Sequence, residues 1–281
     1  MLTIGTAFYD LKAALHLLYD EREAAAIAHE VMEHITGLNR LERLTRKEQK
    51  LSGPQSESFA QLKTVLLKGV PLQYVFGVAH FLGRPFKVSP AVLIPRPETE
   101  ELVQWIIDAE HPQKMLDIGT GSGCIAISLK LALPGCEVSA IDVSPEALEV
   151  AGQNAKALDA RIDFIEADFL IQGAWAQLSV YDVIVSNPPY IPESERQTLH
   201  TNVRDHEPAA ALFVAGNDAL LFYEAIAAFG KTHLASEGTI YCELHRDYAA
   251  QTAALFRNSG YTNVTLRRDM HGNPRMLQAR L

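Results

Sequence analysis

Cysteine is scarce. The 281-residue chain has three, Cys124, Cys136 and Cys242, which cannot all pair and show no CxxC spacing. That pattern excludes a disulfide framework and a cysteine-rich zinc site, leaves no metal to be expected, and suits a reducing cytoplasm. Long apolar runs are missing too, since no stretch reaches about 18 consecutive apolar residues. The opening MLTIGTAFYDLKAALHLLYDERE lacks a basic leader, an unbroken apolar segment and a small-residue cleavage site, so neither a membrane span nor a secretory signal is expected. Basic residues are the minority, 25 Lys+Arg against 34 Asp+Glu, and a net charge of -9 argues against stable binding to long nucleic acid without a local basic patch. Internal repeats and low-complexity tracts are absent as well. What is present describes a folded protein: 48% hydrophobic and 21% charged residues, in a chain long enough to bury about 70–75% of its unfolded surface without staples.

The hydrophobic period changes along the chain. From about Phe8 to Leu72 apolar residues recur at spacings of three and four, punctuated by Gly37, Gly53-Pro54 and Gly69, which predicts a helical domain of four or five short helices over 1–73. Arg40, Arg43, Arg46, Lys47 and Lys50 form either a basic face toward an acidic protein or RNA, or a solvated face. Residues 1–95 carry 11 Lys+Arg against 9 Asp+Glu, whereas the remainder carries 14 against 25. Residues 74–95 read as a β-hairpin linker turning at Leu82-Gly83-Arg84. Over 96–281 strands are expected near 115–118, 137–141, 161–165, 181–185, 238–244, 261–265 and 275–280, with helices between them. Such alternation gives an α/β fold with a mainly parallel sheet covered on both faces and a closing antiparallel hairpin.

The apolar strand MLDI runs into Gly119-Thr120-Gly121-Ser122-Gly123 and then a helical pattern. Glycines there permit a tight turn and close approach of a ligand to the backbone. The dinucleotide fingerprint needs a third glycine where this chain has Cys124, and there is no Gly-Lys-Ser/Thr ending, so a phosphate ligand fits poorly. Asp117 would repel pyrophosphate but neutralise an ammonium group. Asp142, after the next strand, either accepts from ribose hydroxyls or caps the helix opening at Ser144-Pro145. Asp168 adds a polar end-of-strand position suited to an adenine amine, with Ile141, Leu148 and Phe169 as walls of an adenine site or simply core. The ligand this set suggests contains a ribose and an amine but no phosphate, as S-adenosylmethionine does.

The strand YDVIVS ends in Asn187-Pro188-Pro189-Tyr190. Two prolines fix φ twice and donate no backbone bond, so a rigid loop leaves the sheet at the same carboxyl edge. The Asn187 side-chain carbonyl and the Pro188 backbone carbonyl then make a two-acceptor clamp for a planar NH2 group, and Tyr190 can cover that group. A conjugated nitrogen is a poor nucleophile because its lone pair is delocalised. Holding both N–H bonds in line with an electrophilic methyl favours pyramidalisation, and no strong base is needed beforehand.

Several signatures together carry a resemblance: Leu72-Gln73-Tyr74, Gly77, Phe81, Leu93-Ile94-Pro95-Arg96-Pro97-Glu98-Thr99-Glu100, the glycine loop, Asn187-Pro188-Pro189-Tyr190, Glu207-Pro208, and Asp269 with Gly272 and Arg275. On these residues the chain resembles the class I S-adenosylmethionine-dependent methyltransferases, specifically those that methylate a glutamine of peptide chain release factors. The resemblance implies a Rossmann-like, seven-stranded, mainly parallel sheet with an antiparallel last strand, and a small N-terminal helical domain that helps grip the release factor. It implies S-adenosylmethionine as cofactor, held by Asp117, Gly119, Thr120, Gly121, Gly123, Asp142, Asp168, Phe169 and Asn187, with Thr99 nearby. The substrate would be the glutamine of a Gly-Gly-Gln loop, bound by Asn187, Pro188, Pro189 and Tyr190, and the protein a cytoplasmic monomer. Arg96 either orients acidic partner residues or locks the linker through a carboxylate, and Glu207 ties the loop after Tyr190 to a neighbouring element. Ala219, His245 and Tyr248 depart from the family's usual residues. The alternative acceptor for the same clamp is the exocyclic amine of adenine in DNA or RNA, which would call for a phosphate-binding basic track.

Overall fold

The computed structural model describes residues 2–281. The chain divides into two compact units, one formed by the residues up to Phe76 together with Thr201–His206, the other by Gly77–His200 and Glu207–Leu281.

The first unit is helical: α1 Ile4–Leu15, α2 Glu21–Thr36, α3 Arg40–Thr45, α4 Gly53–Leu66 and α5 Leu72–Phe76. Its starts are written locally. The Thr3, Asp20, Asn39 and Ser52 side chains each accept from a backbone N–H one turn in. Gly37 ends α2 in the left-handed region at φ 66°. Leu11, Leu15, Ala28, Met32, Phe59 and Leu66 share its core. Of the five cations between 40 and 50, Arg43 turns inward to Glu33 and the Leu38 carbonyl, while Arg40, Arg46, Lys47 and Lys50 are exposed.

The second unit opens with the hairpin β1 Val78–Phe81 and β2 Arg84–Lys87. Its turn residues Leu82 and Gly83 both take positive φ, 47° and 73°, which matches the twist of a two-residue hairpin. There follow α6 Pro97–Ala109, β3 Lys114–Ile118, α7 Cys124–Ala132, β4 Glu137–Asp142, α8 Pro145–Ala157, β5 Asp163–Glu166 and β6 Tyr181–Ser186. Next come β7 Ile191–Pro192, α9 Thr201–His206 of the first unit, α10 Ala209–Leu212 and β8 Phe213–Val214. The chain closes with α11 Leu221–His233, β9 Leu234–Glu243, α12 Ala249–Asn258, β10 Asn263–Arg268 and β11 Pro274–Arg280.

The main sheet has the order β10-β11-β9-β6-β3-β4-β5. Strands β5, β4, β3, β6 and β9 are parallel, and β11 is antiparallel to both of its neighbours. The expected mainly parallel sheet with an antiparallel last strand is therefore present. Central strands are buried on both faces, as crossover helices require. Alternation sends Leu116, Ile118, Ile184, Ile240 and Cys242 into one apolar layer, and Met115, Val183, Val185 and Tyr241 into the other. The chain reverses direction at β3, whose partners β4 and β6 lie on opposite sides, so a crevice opens beyond the carboxyl ends of β3, β4 and β6.

Boundaries differ from expectation where side chains or irregular pairing set them. Strand β9 begins at Leu234, four residues before the expected start, because Leu234 pairs with Tyr181 ahead of a register shift. The segment after Tyr190 carries a two-stranded parallel sheet, β7 with β8, and short helices that no periodicity announced. Among the described residues no helix is long and apolar enough to cross a membrane, and no group of three or more His, Cys, Asp or Glu could hold a metal ion.

Candidate active site

Strand β3 aims Asp117 into the layer shared with Met115 and α7, so the carboxyl is 1% exposed. Its Oδ2 accepts from Thr120 Oγ1 at 2.7 Å and from the Ala126 N–H at 3.3 Å, whereas Oδ1 is buried and has no partner among the described residues. Burial pushes the Asp117 pKa up to about 7, against the pull of the Thr120 and Ala126 hydrogen bonds; nearby Asp142 raises it slightly further. Asp117 is not among the residues that line the cavity beside the glycine loop, but it lies just before that loop, and an orphaned, buried carboxylate oxygen there is chemistry that fits an ammonium group.

Directly after β3, Gly119, Gly121 and Gly123 take φ of 73°, 55° and 79°, the region where a Cβ is strained. A Cβ on Gly119 or Gly121 would meet nothing within 4 Å, so the loop leaves open space beside the backbone. On Gly123 a Cβ would lie 2.9 Å from Ile127 Cδ1 and 3.2 Å from Ala151 Cβ, so this glycine also allows α7 to pack closely against α8. Asp142 accepts from the Gly121 N–H at 2.8 Å and the Ser144 N–H at 3.0 Å. The cap of α8 is Ser144, whose Oγ accepts from Ala147 N, so the capping alternative for Asp142 falls away. Asp168 Oδ1 accepts from the Leu170 N–H at 2.9 Å. Asp142, Asp168, Phe169, Ile141, Gly119, Thr120 and Gly121 line one cavity, and Leu148 does not. Phe169 serves twice, since it also packs edge-on against Phe229 in the core.

The same cavity reaches Asn187, Pro189, Thr99 and Arg96. Asn187 Nδ2 donates to Thr99 Oγ1 at 3.1 Å. Thr99 Oγ1 in turn donates to Glu243 Oε2 at 2.5 Å, and Tyr190 Oη donates to Glu243 Oε1 at 3.3 Å. Pro188 is buried, and no donor among the described residues reaches its carbonyl. Glu243 is 2% exposed; burial raises its pKa, while Thr99 and Arg275 oppose the rise. Burial likewise pushes the Tyr190 phenol up, keeping it neutral. His245 packs edge-on against Tyr190 with centroids 5.7 Å apart.

Arg96 does not stand free. Its Nη2 donates to Glu207 Oε1 at 2.5 Å, and Glu207 Oε2 accepts from the Ile94 N–H at 3.2 Å, so the carboxylate clamps the segment before α6. Glu207 is 6% exposed. Arg96→Ala would leave a buried carboxylate without its cation, and the expected loss is about 2–3 kcal/mol in chemical denaturation, with Glu207→Gln costing less.

Thr99 and Glu243 are the residues that sequence reasoning undervalued. Glu243 carries a usable signal: a lone acid ending the apolar run TIYCE on a strand that neighbours the one running into Asn187.

Comparison with known proteins bears on the whole arrangement. Residues 11–77 match the PrmC N-terminal domain and residues 98–206 the methyltransferase small domain. A solved methyltransferase from Pyrococcus furiosus superposes with TM-score 0.55 at 18% identity, covering 78% of this chain and 98% of that one. A T. thermophilus 16S rRNA N2 G1207 methyltransferase gives TM-score 0.51 at 16% identity, over 72% of this chain and 49% of that one. At such identities the likeness concerns the fold alone, the Rossmann-like class I methyltransferase fold. Closer in sequence are release factor glutamine methyltransferases: that of Flavobacterium psychrophilum is 41% identical over 94% of both chains. The one from Bacteroides thetaiotaomicron is 39% identical over 96% of this chain and 97% of its own. Identity of that extent, spanning the helical unit and the sheet alike, makes this chain a member of the release factor glutamine methyltransferase family.

Proposed function

We propose that the chain transfers a methyl group from S-adenosylmethionine to the side-chain amide nitrogen of the glutamine in the Gly-Gly-Gln loop of peptide chain release factors. One observation carries the chemistry: the uncharged amide of Asn187, with its Nδ2 bonded to Thr99, lines the cavity that the glycine loop forms, and the next residue, Pro188, has a carbonyl that no donor among the described residues reaches. Bound S-adenosylmethionine supplies an electrophilic sulfonium methyl. Asp117 Oδ1 would take its ammonium group, and Asp142 its ribose hydroxyls.

The protein's own work is positioning. Asn187 Oδ1 and the Pro188 carbonyl accept the two N–H bonds of the substrate amide, which turns its nitrogen toward the methyl and weakens conjugation. Tyr190, neutral and half-buried against the core, covers the amide plane and limits its hydration. No basic group is needed to remove a proton first, because the methylated nitrogen is positively charged and sheds a proton to water. Pro189 stiffens the clamp. The helical unit serves as the platform that grips the release factor. Every group named comes from one chain, which supports a monomer, and a release factor as partner supports work in the cytoplasm.

Incubation with a labelled methyl donor and a release factor should add one methyl, located by mass spectrometry on the loop glutamine, and none to a variant in which that glutamine is alanine. Methyl incorporation into an adenine-containing oligonucleotide instead would move the acceptor to nucleic acid.

A further inference from the structure

Resting on that functional reading, we propose that Glu243, acting through Thr99, determines which way round the Asn187 amide sits and so presents its oxygen, rather than its NH2, to the substrate. Both are positioning residues, because Glu243 reaches the acceptor only through Thr99 and Asn187.

The direction of each hydrogen bond carries the inference. Glu243 Oε1 and Oε2 each accept from a hydroxyl, Tyr190 Oη at 3.3 Å and Thr99 Oγ1 at 2.5 Å, an arrangement that suits a carboxylate. Thr99 has a single proton, and it is committed to Glu243. Toward Asn187 the hydroxyl can therefore only accept, and it does so from Nδ2 at 3.1 Å. A flipped Asn187 would set Oδ1 against the lone pairs of Thr99 and its NH2 against the NH2 of the substrate, two mismatches at once. The carboxylate thus holds Asn187 through Thr99 on one oxygen and Tyr190, which covers the substrate amide, on the other. Burial makes the device rigid, with Thr99 and Glu243 each 2% exposed. Arg275 from β11 offsets the charge, while Glu98 from α6 adds to it. The anchoring is provided by secondary structure: Thr99 sits in the first turn of α6 behind Pro97, and Glu243 ends β9.

The test uses the full-length enzyme with a release factor, at saturating S-adenosylmethionine. Thr99→Val keeps the shape and removes the hydroxyl, and kcat should fall about 30- to 100-fold while KM for the release factor stays within about threefold. Thr99→Ser keeps the hydroxyl and should recover kcat to within about threefold of the parent. A purely structural role for the position would not divide valine from serine in kcat alone. Glu243→Gln, whose amide can accept from only one of the two hydroxyls, should lower kcat about tenfold and gives a second reading if the valine variant folds poorly. Equal kcat for the valine and serine variants, or a Glu243→Gln enzyme as fast as the parent, overturns the proposal. Failure of the parent enzyme itself to methylate the loop glutamine overturns the functional reading instead.

Discussion

Replacing Asn187 with alanine lowers methyl transfer to the release factor on the order of a thousandfold, while affinity for S-adenosylmethionine stays within about fivefold of the parent. The separation follows from what the side chain touches. Asn187 lines the cavity with Nδ2 on Thr99, so its oxygen is the group available to a substrate amide, whereas the groups proposed to carry most of the cofactor contacts are the glycine loop, Asp117, Asp142 and Asp168. Loss of one preorganised polar contact at a reacting centre typically costs about 10²–10³ in kcat, and misplacement of the nucleophile by about 1 Å adds a comparable factor. Single-turnover kinetics alongside calorimetric titration with S-adenosylmethionine separate the two quantities. A parallel loss of both would show that Asn187 serves the cofactor.

Asp117→Asn has the second large effect, and it runs in opposite directions for binding and stability. A charge-assisted bond to an ammonium group contributes about 1.5–3 kcal/mol, so S-adenosylmethionine affinity should fall on the order of 100-fold. Without ligand, the folded protein holds this carboxyl at about 7 against an ordinary value of 3.8. A folded-state pKa raised in this way means the folded chain binds more protons than the unfolded one between those values, so stability falls as pH rises through that window. The penalty is absent below the ordinary value and complete above about pH 7, where it reaches about 4 kcal/mol. At pH 8 the ligand-free asparagine variant should therefore melt several degrees above the parent, and near pH 4 the difference should vanish. In the parent, affinity for S-adenosylmethionine should drop by up to about tenfold per pH unit below 7, because the proton must leave before the ammonium can bind. Scanning calorimetry and titrations at pH 5, 6, 7 and 8 measure both. A pH-independent affinity would show that the buried carboxyl does not meet the ammonium.

Much of this arrangement is legible in the sequence because it is encoded locally. Glycines at 119, 121 and 123 and prolines at 188 and 189 constrain their own backbones, and the strand ends that carry Asp117, Asp142 and Asn187 follow from apolar runs. The sheet type follows from alternation of strand and helix, and two late strands with no helix between them suit the antiparallel close, which the family resemblance also implies. What stayed hidden depends on groups far apart in the chain. The local sequence leaves Arg96 two roles, and Glu207, 111 residues away, decides between them by taking its guanidinium. Thr99 and Glu243 are separated by 144 residues, and no local pattern announces that they meet. The short elements after Tyr190 likewise depend on pairing between Ile191 and Phe213 rather than on periodicity.

A crystal structure of the enzyme with S-adenosylhomocysteine and a release factor bears most directly on the amide clamp. It should show Asn187 Oδ1 and the Pro188 carbonyl each within about 3.2 Å of the loop glutamine nitrogen, with Asn187 Nδ2 still on Thr99. A complex competent for transfer in which the Asn187 oxygen faces Thr99, or in which the glutamine nitrogen lies beyond hydrogen-bond reach of both acceptors, would contradict the account.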